Sequence, residues 1–307
     1  MFTPLNRLTG MLPAFPTPFA ANGTVDRAAL SAMVERLIDA GASGLVPVGG
    51  TGEYTAMSPT ARTEVVALTV QAARSRVPVI AGVLSPGFQE ALAAGRAFKD
   101  AGAAALLLVT PFYATPTQDG LCAYFSAYAR ALDLPLFLYD IPSRTGVVTQ
   151  PATIARMVGE RTIVGMKACN VDIGHFRQTV ELVGNDISIL SGDDLLFPLH
   201  MSLGGHGGIL ASSTLLPAYW QRISQLCLAG DLAQALALQR KLMPLLDALF
   251  AETNPGPLKM AMALAGFPLG PVALPLQAPS EALVARLRGA LAELARQGLP
   301  DLARFAA

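Results

Sequence analysis

The chain has 307 residues, of which 52% are hydrophobic and 14% charged, so it can bury a large core and is not disordered. Its 22 basic and 22 acidic residues cancel and form no basic run, which argues against a nucleic-acid partner. The apolar runs are shorter than the roughly 18–20 residues of a membrane span, and residues 1–10 lack the apolar core of a signal peptide.

The three cysteines, Cys122, Cys169 and Cys227, are far apart in the sequence and form neither a CxxC pair nor a disulfide framework. This usage is typical of a reducing compartment, and we expect a cytoplasmic protein. The three histidines have no HxH or HxxxH spacing, so no metal site is predicted.

Short apolar segments alternate with longer segments of helical periodicity. The predicted strands cover residues 12–19, 44–48, 77–82, 104–109, 134–140, 162–169, 187–191 and 207–211. The predicted helices cover residues 26–40, 58–74, 89–101, 117–132, 150–158, 172–183, 194–203 and 215–228, with Asp26, Ser58 and Asp194 as N-caps.

Eight strand–helix units of this size predict an α/β fold, a (β/α)8 TIM barrel, for which about 250 residues is typical. An open doubly wound sheet is the alternative, but its early GxGxxG motif and the acidic residue that follows it are missing. Three further amphipathic helices, at 232–250, 257–265 and 280–296, predict a C-terminal helical appendage. We therefore expect a barrel over residues 1–230 and an appendage over 231–307.

One of the four lysines of the chain, Lys167, lies at the end of the apolar run 162–169. A lysine at a strand end can extend its amine to solvent. It can also be a desolvated amine with a lowered pKa that forms a Schiff base with a carbonyl substrate. The other strand ends bear on this choice, because the chemistry of such a barrel lies at the C-terminal ends of its strands.

Two of these strand ends carry three candidates: the loop at 49–53 after one strand, and Tyr139 and Arg144 at the end of another. The GGTGE loop at 49–53 suits a small carboxylate, held by backbone N–H groups and the Thr51 hydroxyl, although a tight turn without ligand is also possible. Tyr139 can move protons beside a strand-end lysine, or it can be a core residue. Arg144 can bind a carboxylate with two hydrogen bonds, or it can be a surface residue.

In these motifs the chain resembles the dihydrodipicolinate synthase / N-acetylneuraminate lyase family of pyruvate-dependent class I lyases. The resemblance covers nearly the whole chain. It is carried by GGTGE (49–53), VTPFY (109–113), TQDGL (117–121), YDIPSRTG (139–146), IVGMK (163–167), SGDD (191–194), GGHGGI (204–209) and NPGPLK (254–259).

The resemblance implies a role for each candidate. Lys167 forms the Schiff base with pyruvate or another 2-keto acid, so no separate cofactor is needed, and Tyr139 is the proton shuttle. Thr51, next to Gly50, holds the keto-acid carboxylate together with loop amides. Tyr113 matches a tyrosine that enters a neighbouring subunit's site, which implies a homodimer or homotetramer.

Two further residues are assigned in the same way. Arg144 matches the arginine that binds the acidic end of the second substrate in the synthases, and Ile209 lines the pyruvate pocket. The YDIPSRTG stretch favours dihydrodipicolinate synthase, which condenses pyruvate with aspartate semialdehyde.

The chain departs from the synthase pattern at two places. Gly50 replaces a threonine whose hydroxyl belongs to a proton relay, and GGTGE is more typical of sugar-acid dehydratases. A 2-keto-3-deoxy sugar-acid dehydratase or aldolase is therefore an alternative, and a keto-acid-binding paralogue without turnover is another. Second, Arg62, Pro86 and Phe112 replace the histidine, asparagine and tyrosine of the lysine-feedback site, which predicts no inhibition by lysine.

Overall fold

The computed structural model of the protein describes residues 5–302; residues 1–4 and 303–307, at the ends of the two predicted units, lie outside the described residues. Its strands are all parallel and form one sheet in the order β1-β7-β6-β5-β4-β3-β2. The strands are β1 Gly10–Met11, β2 Ile80–Val83, β3 Ala105–Val109, β4 Leu136–Asp140, β5 Gly165–Ala168, β6 Ser188–Ser191 and β7 Gly207–Gly208.

The predicted strand 44–48 closes this sheet into a barrel without being a regular strand itself. It makes two isolated parallel bridges, Leu45 to Val79 and Ala14 to Val46. Prolines in this segment and in both neighbouring segments have no N–H to donate, so the hydrogen-bond ladder on either side is interrupted. Eight extended segments therefore surround the axis, which confirms the predicted barrel and corrects the predicted strand.

Helices follow the strands around the outside of the barrel. They are α1 Arg27–Asp39, α2 Pro59–Ala73, α3 Phe88–Asp100, α4 Gln118–Leu132, α5 Pro142–Thr145, α6 Pro151–Gly159, α7 Ile173–Val183, α8 Phe197–Ser202, α9 Pro217–Leu228, α10 Leu232–Leu249, α11 Gly256–Leu264 and α12 Glu281–Arg296. The side chains of Asp26 and Ser58 accept hydrogen bonds from the first turns of α1 and α2, as their sequence positions predict. The short helix α5 lies in a segment that the sequence pattern left as a loop.

Alternate residues of each strand face opposite sides of the barrel wall. In β3 and β4, Leu107, Phe137 and Tyr139 belong to the buried cluster inside the barrel. Their neighbours Leu106 and Leu138 belong to the larger cluster between the strands and the helices. The strands are thus buried on both faces, which explains their nearly continuous apolar sequences.

The three C-terminal helices pack on the barrel and on one another: α10 contacts α8, α9 and α12, and α11 contacts α10 and α12. The division at residue 230 stays a prediction. Within residues 5–302, no helix combines the length and the apolar character that crossing a membrane requires.

Candidate active site

Tyr139 and Lys167 lie side by side at the C-terminal ends of β4 and β5. They are register partners across the two strands, so both side chains point into the barrel. The Nζ atom of Lys167 is 4.8 Å from the centroid of the Tyr139 ring. Lys167 is only 7% exposed and Tyr139 only 5%, so the lysine does not extend its amine freely to solvent.

The electrostatics of this pair differ in part from the expectation. Burial lowers the pKa of the Lys167 amine, but the neighbouring side chains of Tyr139, Cys169 and Asp194 oppose this effect, and the pKa lies above its ordinary value. Burial raises the pKa of the Tyr139 hydroxyl, against a lowering effect of Lys167. The direction for Lys167 is opposite to the lowered pKa that the sequence offered as one interpretation of this residue. A protonated amine cannot attack a ketone, so only the neutral form of Lys167 can react.

Five of the seven predicted site residues line one cavity of about 210 Å³: Gly50, Thr51, Tyr139, Arg144 and Lys167. The other two predicted residues, Tyr113 and Ile209, are both within the described residues but do not line this cavity. Tyr113 is fully exposed, with a left-handed backbone φ of 74°. Ile209 is fully buried in the interior cluster that also contains Tyr139. The roles assigned to these residues stay predictions.

The loop at 49–53 has the geometry of an anion site. Val48 and Glu53, at its two ends, have left-handed backbones with φ of 49° and 60°, a strained conformation for a β-branched valine. A Cβ on Gly52 would lie 2.7 Å from the backbone nitrogen of Val48, so only glycine fits there. The N–H groups of Gly50 and Thr51 donate to no acceptor within residues 5–302. These amides are thus free to bind a carboxylate.

A buried ion pair fixes the end of this loop. The carboxylate of Glu53 lies 2.6 Å from Lys259 Nζ of α11, and both side chains are almost completely buried. Glu53 also accepts a hydrogen bond from the N–H of Ala273 (2.7 Å), and Lys259 donates to the carbonyl of Pro271 (2.7 Å). Glu53 and Lys259 lie within the GGTGE and NPGPLK motifs, but no local sequence pattern relates positions so far apart, so their pairing could not be predicted.

Arg144 lines the cavity from the loop after β4, and its side chain is exposed. The far end of this loop is held by the barrel. Asp140, the last residue of β4, accepts a hydrogen bond from the N–H of Thr149 (3.1 Å). The carbonyl of Thr149 is 2.8 Å from Nε2 of His175 on α7. These two hydrogen bonds fix the C-terminal end of the loop that carries Arg144, and so limit the positions that its guanidinium can reach.

Gly192 makes room for the candidate nucleophile. A Cβ at this position would lie 2.1 Å from Cys169 Sγ and 2.9 Å from Lys167 Cε. Gly192 lies at a predicted strand end, within the SGDD motif, but the sequence alone gives no reason for a glycine there. The reason for the glycine becomes clear only in the structure, where Lys167 of the neighbouring strand and Cys169 just after it leave no space for a Cβ.

The two aspartates after Gly192 have structural partners, although one expectation was wrong. Asp194 does not cap a helix: its Oδ1 accepts hydrogen bonds from the backbone N–H (2.9 Å) and the hydroxyl of Ser212. Asp193 instead accepts from the N–H of Leu195 (2.8 Å), and α8 begins only at Phe197. Among residues 5–302, no three His, Cys, Asp or Glu side chains are grouped so that they could hold a metal ion.

Comparison with known proteins gives a consistent result. Residues 7–293 match the model of the dihydrodipicolinate synthetase family. The chain is 40% identical to a 4-hydroxy-tetrahydrodipicolinate synthase of Acidiphilium cryptum over 285 residues, which cover 93% of this chain and 98% of the relative.

Solved structures agree with the sequence match. A chloride-inhibited dihydrodipicolinate synthase from Acinetobacter baumannii, complexed with pyruvate, has a TM-score of 0.91 at 35% identity, covering 94% of this chain and 99% of that one. A monomeric dihydrodipicolinate synthase variant has a TM-score of 0.92 at 32% identity, covering 97% of this chain and 100% of that one.

Proposed function

Since the chain belongs to the dihydrodipicolinate synthetase family, we propose that it is a class I synthase that condenses pyruvate with aspartate semialdehyde. The observation that carries the proposal is the buried pair of Lys167 and Tyr139, which shares one cavity with Thr51 and Arg144. The name of the Acidiphilium relative and the pyruvate complex of the Acinetobacter structure support it.

The proposed reaction begins at the Lys167 amine. Once neutral, it attacks the ketone carbon of pyruvate, and the resulting carbinolamine loses water to give an imine. Loss of a proton from the methyl carbon gives an enamine, which attacks the aldehyde carbon of the second substrate. Hydrolysis of the imine returns the free lysine. The Tyr139 hydroxyl carries the protons to and from the carbinolamine oxygen, so the cycle needs no other cofactor.

The substrate ends are bound by the cavity wall. The free N–H groups of Gly50 and Thr51, together with the Thr51 hydroxyl, hold the pyruvate carboxylate. The guanidinium of Arg144 binds the carboxylate of aspartate semialdehyde with two hydrogen bonds. Ile209 supports the pocket from the barrel interior.

A neighbouring subunit completes the proposed site. A fully exposed tyrosine on a left-handed backbone, such as Tyr113, is unusual on a free surface and suits insertion into another subunit. We therefore propose a homodimer or homotetramer in the cytoplasm. Because one structural neighbour is a monomeric variant, the mass in solution should be measured by light scattering, and a monomer with full activity would contradict this role for Tyr113.

The alternative of a sugar-acid dehydratase or aldolase rests on Gly50. The curated relative is named as a synthase, which favours the synthase over this alternative. A Cβ at position 50 would lie 3.8 Å from Tyr139 Oη and 4.0 Å from Arg144 Nη1, an ordinary contact distance, so the backbone can carry a side chain there. If the relay hydroxyl limits the rate, Gly50→Thr raises condensation activity, whereas Gly50→Ala, which adds bulk without a hydroxyl, does not. Equal effects of the two variants would contradict the relay argument.

A trapping experiment tests the proposed function directly. The protein is incubated with pyruvate and reduced with borohydride, and the modified peptide is located by mass. We expect the adduct on Lys167 and no adduct in Lys167→Ala, whose fold is checked by circular dichroism. Turnover is then measured with aspartate semialdehyde. A folded wild-type protein that forms no adduct with pyruvate would contradict the synthase, and labelling only by longer 2-keto-3-deoxy acids would establish the alternative.

A further inference from the structure

One side chain of the C-terminal appendage, that of Asn254, is hydrogen-bonded to the loop at 49–53; with Phe250 it lines the cavity of the candidate site. Asn254 lies just before α11, 203 positions along the chain from Thr51. Its Nδ2 donates a hydrogen bond of 2.9 Å to Thr51 Oγ1. Both residues line the cavity that contains Lys167, and Thr51 is buried there. This contact joins the appendage to the loop that is proposed to hold the keto-acid carboxylate.

The direction of this hydrogen bond decides what the Thr51 hydroxyl can do. A threonine hydroxyl has a single hydrogen, and its oxygen can also accept. Because its oxygen accepts from the Asn254 amide, its hydrogen remains available to a second partner. An ionised carboxylate can only accept hydrogen bonds, so it needs a donor at this point. The asparagine amide therefore leaves the threonine in the state that a carboxylate requires.

We propose that Asn254 is a positioning residue that orients the Thr51 hydroxyl as a donor toward the keto-acid carboxylate. This inference rests on the proposed function, because it concerns how the same carboxylate is bound. Asn254 itself does not need to touch the reacting atoms. Its effect is transmitted through Thr51.

The appendage holds Asn254 in place for this purpose. The next residue, Pro255, accepts a hydrogen bond from the backbone N–H of Lys259 (2.9 Å), which is the residue paired with Glu53. Gly256 is packed so closely that a Cβ there would lie 2.9 Å from the carbonyl of Gln277. The loop at 49–53 is thus held at two points, at Thr51 by Asn254, which precedes α11, and at Glu53 by Lys259 of α11.

Asn254→Asp tests the direction of the hydrogen bond with almost no change in shape. The new carboxylate can only accept, so the Thr51 hydroxyl turns to donate to it and is lost to the substrate. We expect the KM for pyruvate to rise about 10–100-fold, the size of losing a hydrogen bond to a charged group, while kcat changes little. Asn254→Ala leaves the hydroxyl free to rotate, and its KM should rise only about 3–10-fold.

A double-mutant cycle tests whether the effect passes through Thr51. In a Thr51→Val background, which has no hydroxyl to orient, Asn254→Ala should no longer change the KM for pyruvate. Thermal unfolding of each variant shows whether the fold is kept. An Asn254→Ala effect of the same size with and without the hydroxyl would overturn the proposal. So would an Asn254→Asp KM within about twofold of wild type, since the hydroxyl direction would then not matter.

The same trapping assay separates this inference from the proposed function. The fraction of Lys167 labelled is measured against pyruvate concentration for wild type and for Asn254→Asp. Labelling of both at the same concentrations would refute the role of Asn254 and leave the synthase intact. No labelling of folded wild type at any pyruvate concentration would overturn the synthase and, with it, the inference. The expected result is labelling of both proteins, with the variant shifted to higher pyruvate.

Discussion

Substitution of Gly192 by alanine should disable the site while leaving most of the fold intact. The added Cβ would lie 2.1 Å from Cys169 Sγ and 2.9 Å from Lys167 Cε, whereas non-bonded carbon atoms prefer about 3.5–4.0 Å. Overpacking of this kind costs about 1–3 kcal/mol of unfolding free energy. The lysine must also move, and a misplacement of about 1 Å at a reacting group can cost about 100-fold in rate.

Thermal unfolding and borohydride trapping with pyruvate measure these two effects separately. Adding Cys169→Ala removes the sulfur, so the double variant should recover much of the lost stability. Its trapping rate should stay low, because the contact with the Lys167 side chain remains. Gly289→Ala, where a Cβ has no neighbour within 4 Å, is the matched control and should change neither trapping nor activity. A Gly192→Ala protein with wild-type trapping and unfolding temperature would refute the reasoning.

Three further predictions follow from particular contacts. Millimolar L-lysine should not inhibit condensation, because Arg62 replaces the histidine of the lysine-feedback site and its guanidinium lies 3.8 Å over the Tyr54 ring; strong inhibition in a titration would contradict this. Tyr139→Phe should slow imine formation by about 10²–10⁴-fold, measured as a time course of borohydride trapping with pyruvate. A normal rate would exclude Tyr139 as the proton shuttle. Burial lowers the pKa of His200 to about 4 in the folded protein, whereas a histidine in the unfolded chain binds a proton at about pH 6.5. Acid should thus favour the unfolded chain. The free energy of unfolding should therefore fall by up to roughly 3 kcal/mol between pH 6.5 and 4, and the urea midpoint of His200→Phe should depend less on pH in this window.

The parts of the fold that depend on short-range pattern could be predicted from the sequence. Apolar strands alternating with capped helices were sufficient for the barrel, because each unit is specified by residues close together in the chain. The pairing of Lys167 with Tyr139 also followed, since strand ends of a parallel barrel meet at one rim. The segment 44–48 was less predictable, because whether its prolines interrupt the ladder depends on prolines in the neighbouring segments.

The contacts that orient the site could not be predicted, since each joins distant parts of the chain. The pKa direction of Lys167 depends on Tyr139, Cys169 and Asp194, which come from three different parts of the barrel rim. Desolvation alone predicts a lowered pKa, and only the three-dimensional arrangement adds the neighbours that oppose it. The sequence pattern therefore pointed to Lys167 as the candidate nucleophile but not to the direction of its pKa shift.

The predicted division into barrel and appendage separates residues that contact one another in the structure. The barrel supplies Lys167 and Tyr139, while the appendage supplies Lys259, whose amine pairs with buried Glu53 beneath the carboxylate loop. Removing one partner of such a buried pair typically costs about 3–5 kcal/mol, because the other charge is left unpaired. That loss would fall on the loop 49–53, whose conformation is already strained at both ends. The ion pair therefore stabilises a strained loop geometry, and we expect a change at Lys259 in α11 to alter the proposed keto-acid binding without touching a residue of the strands.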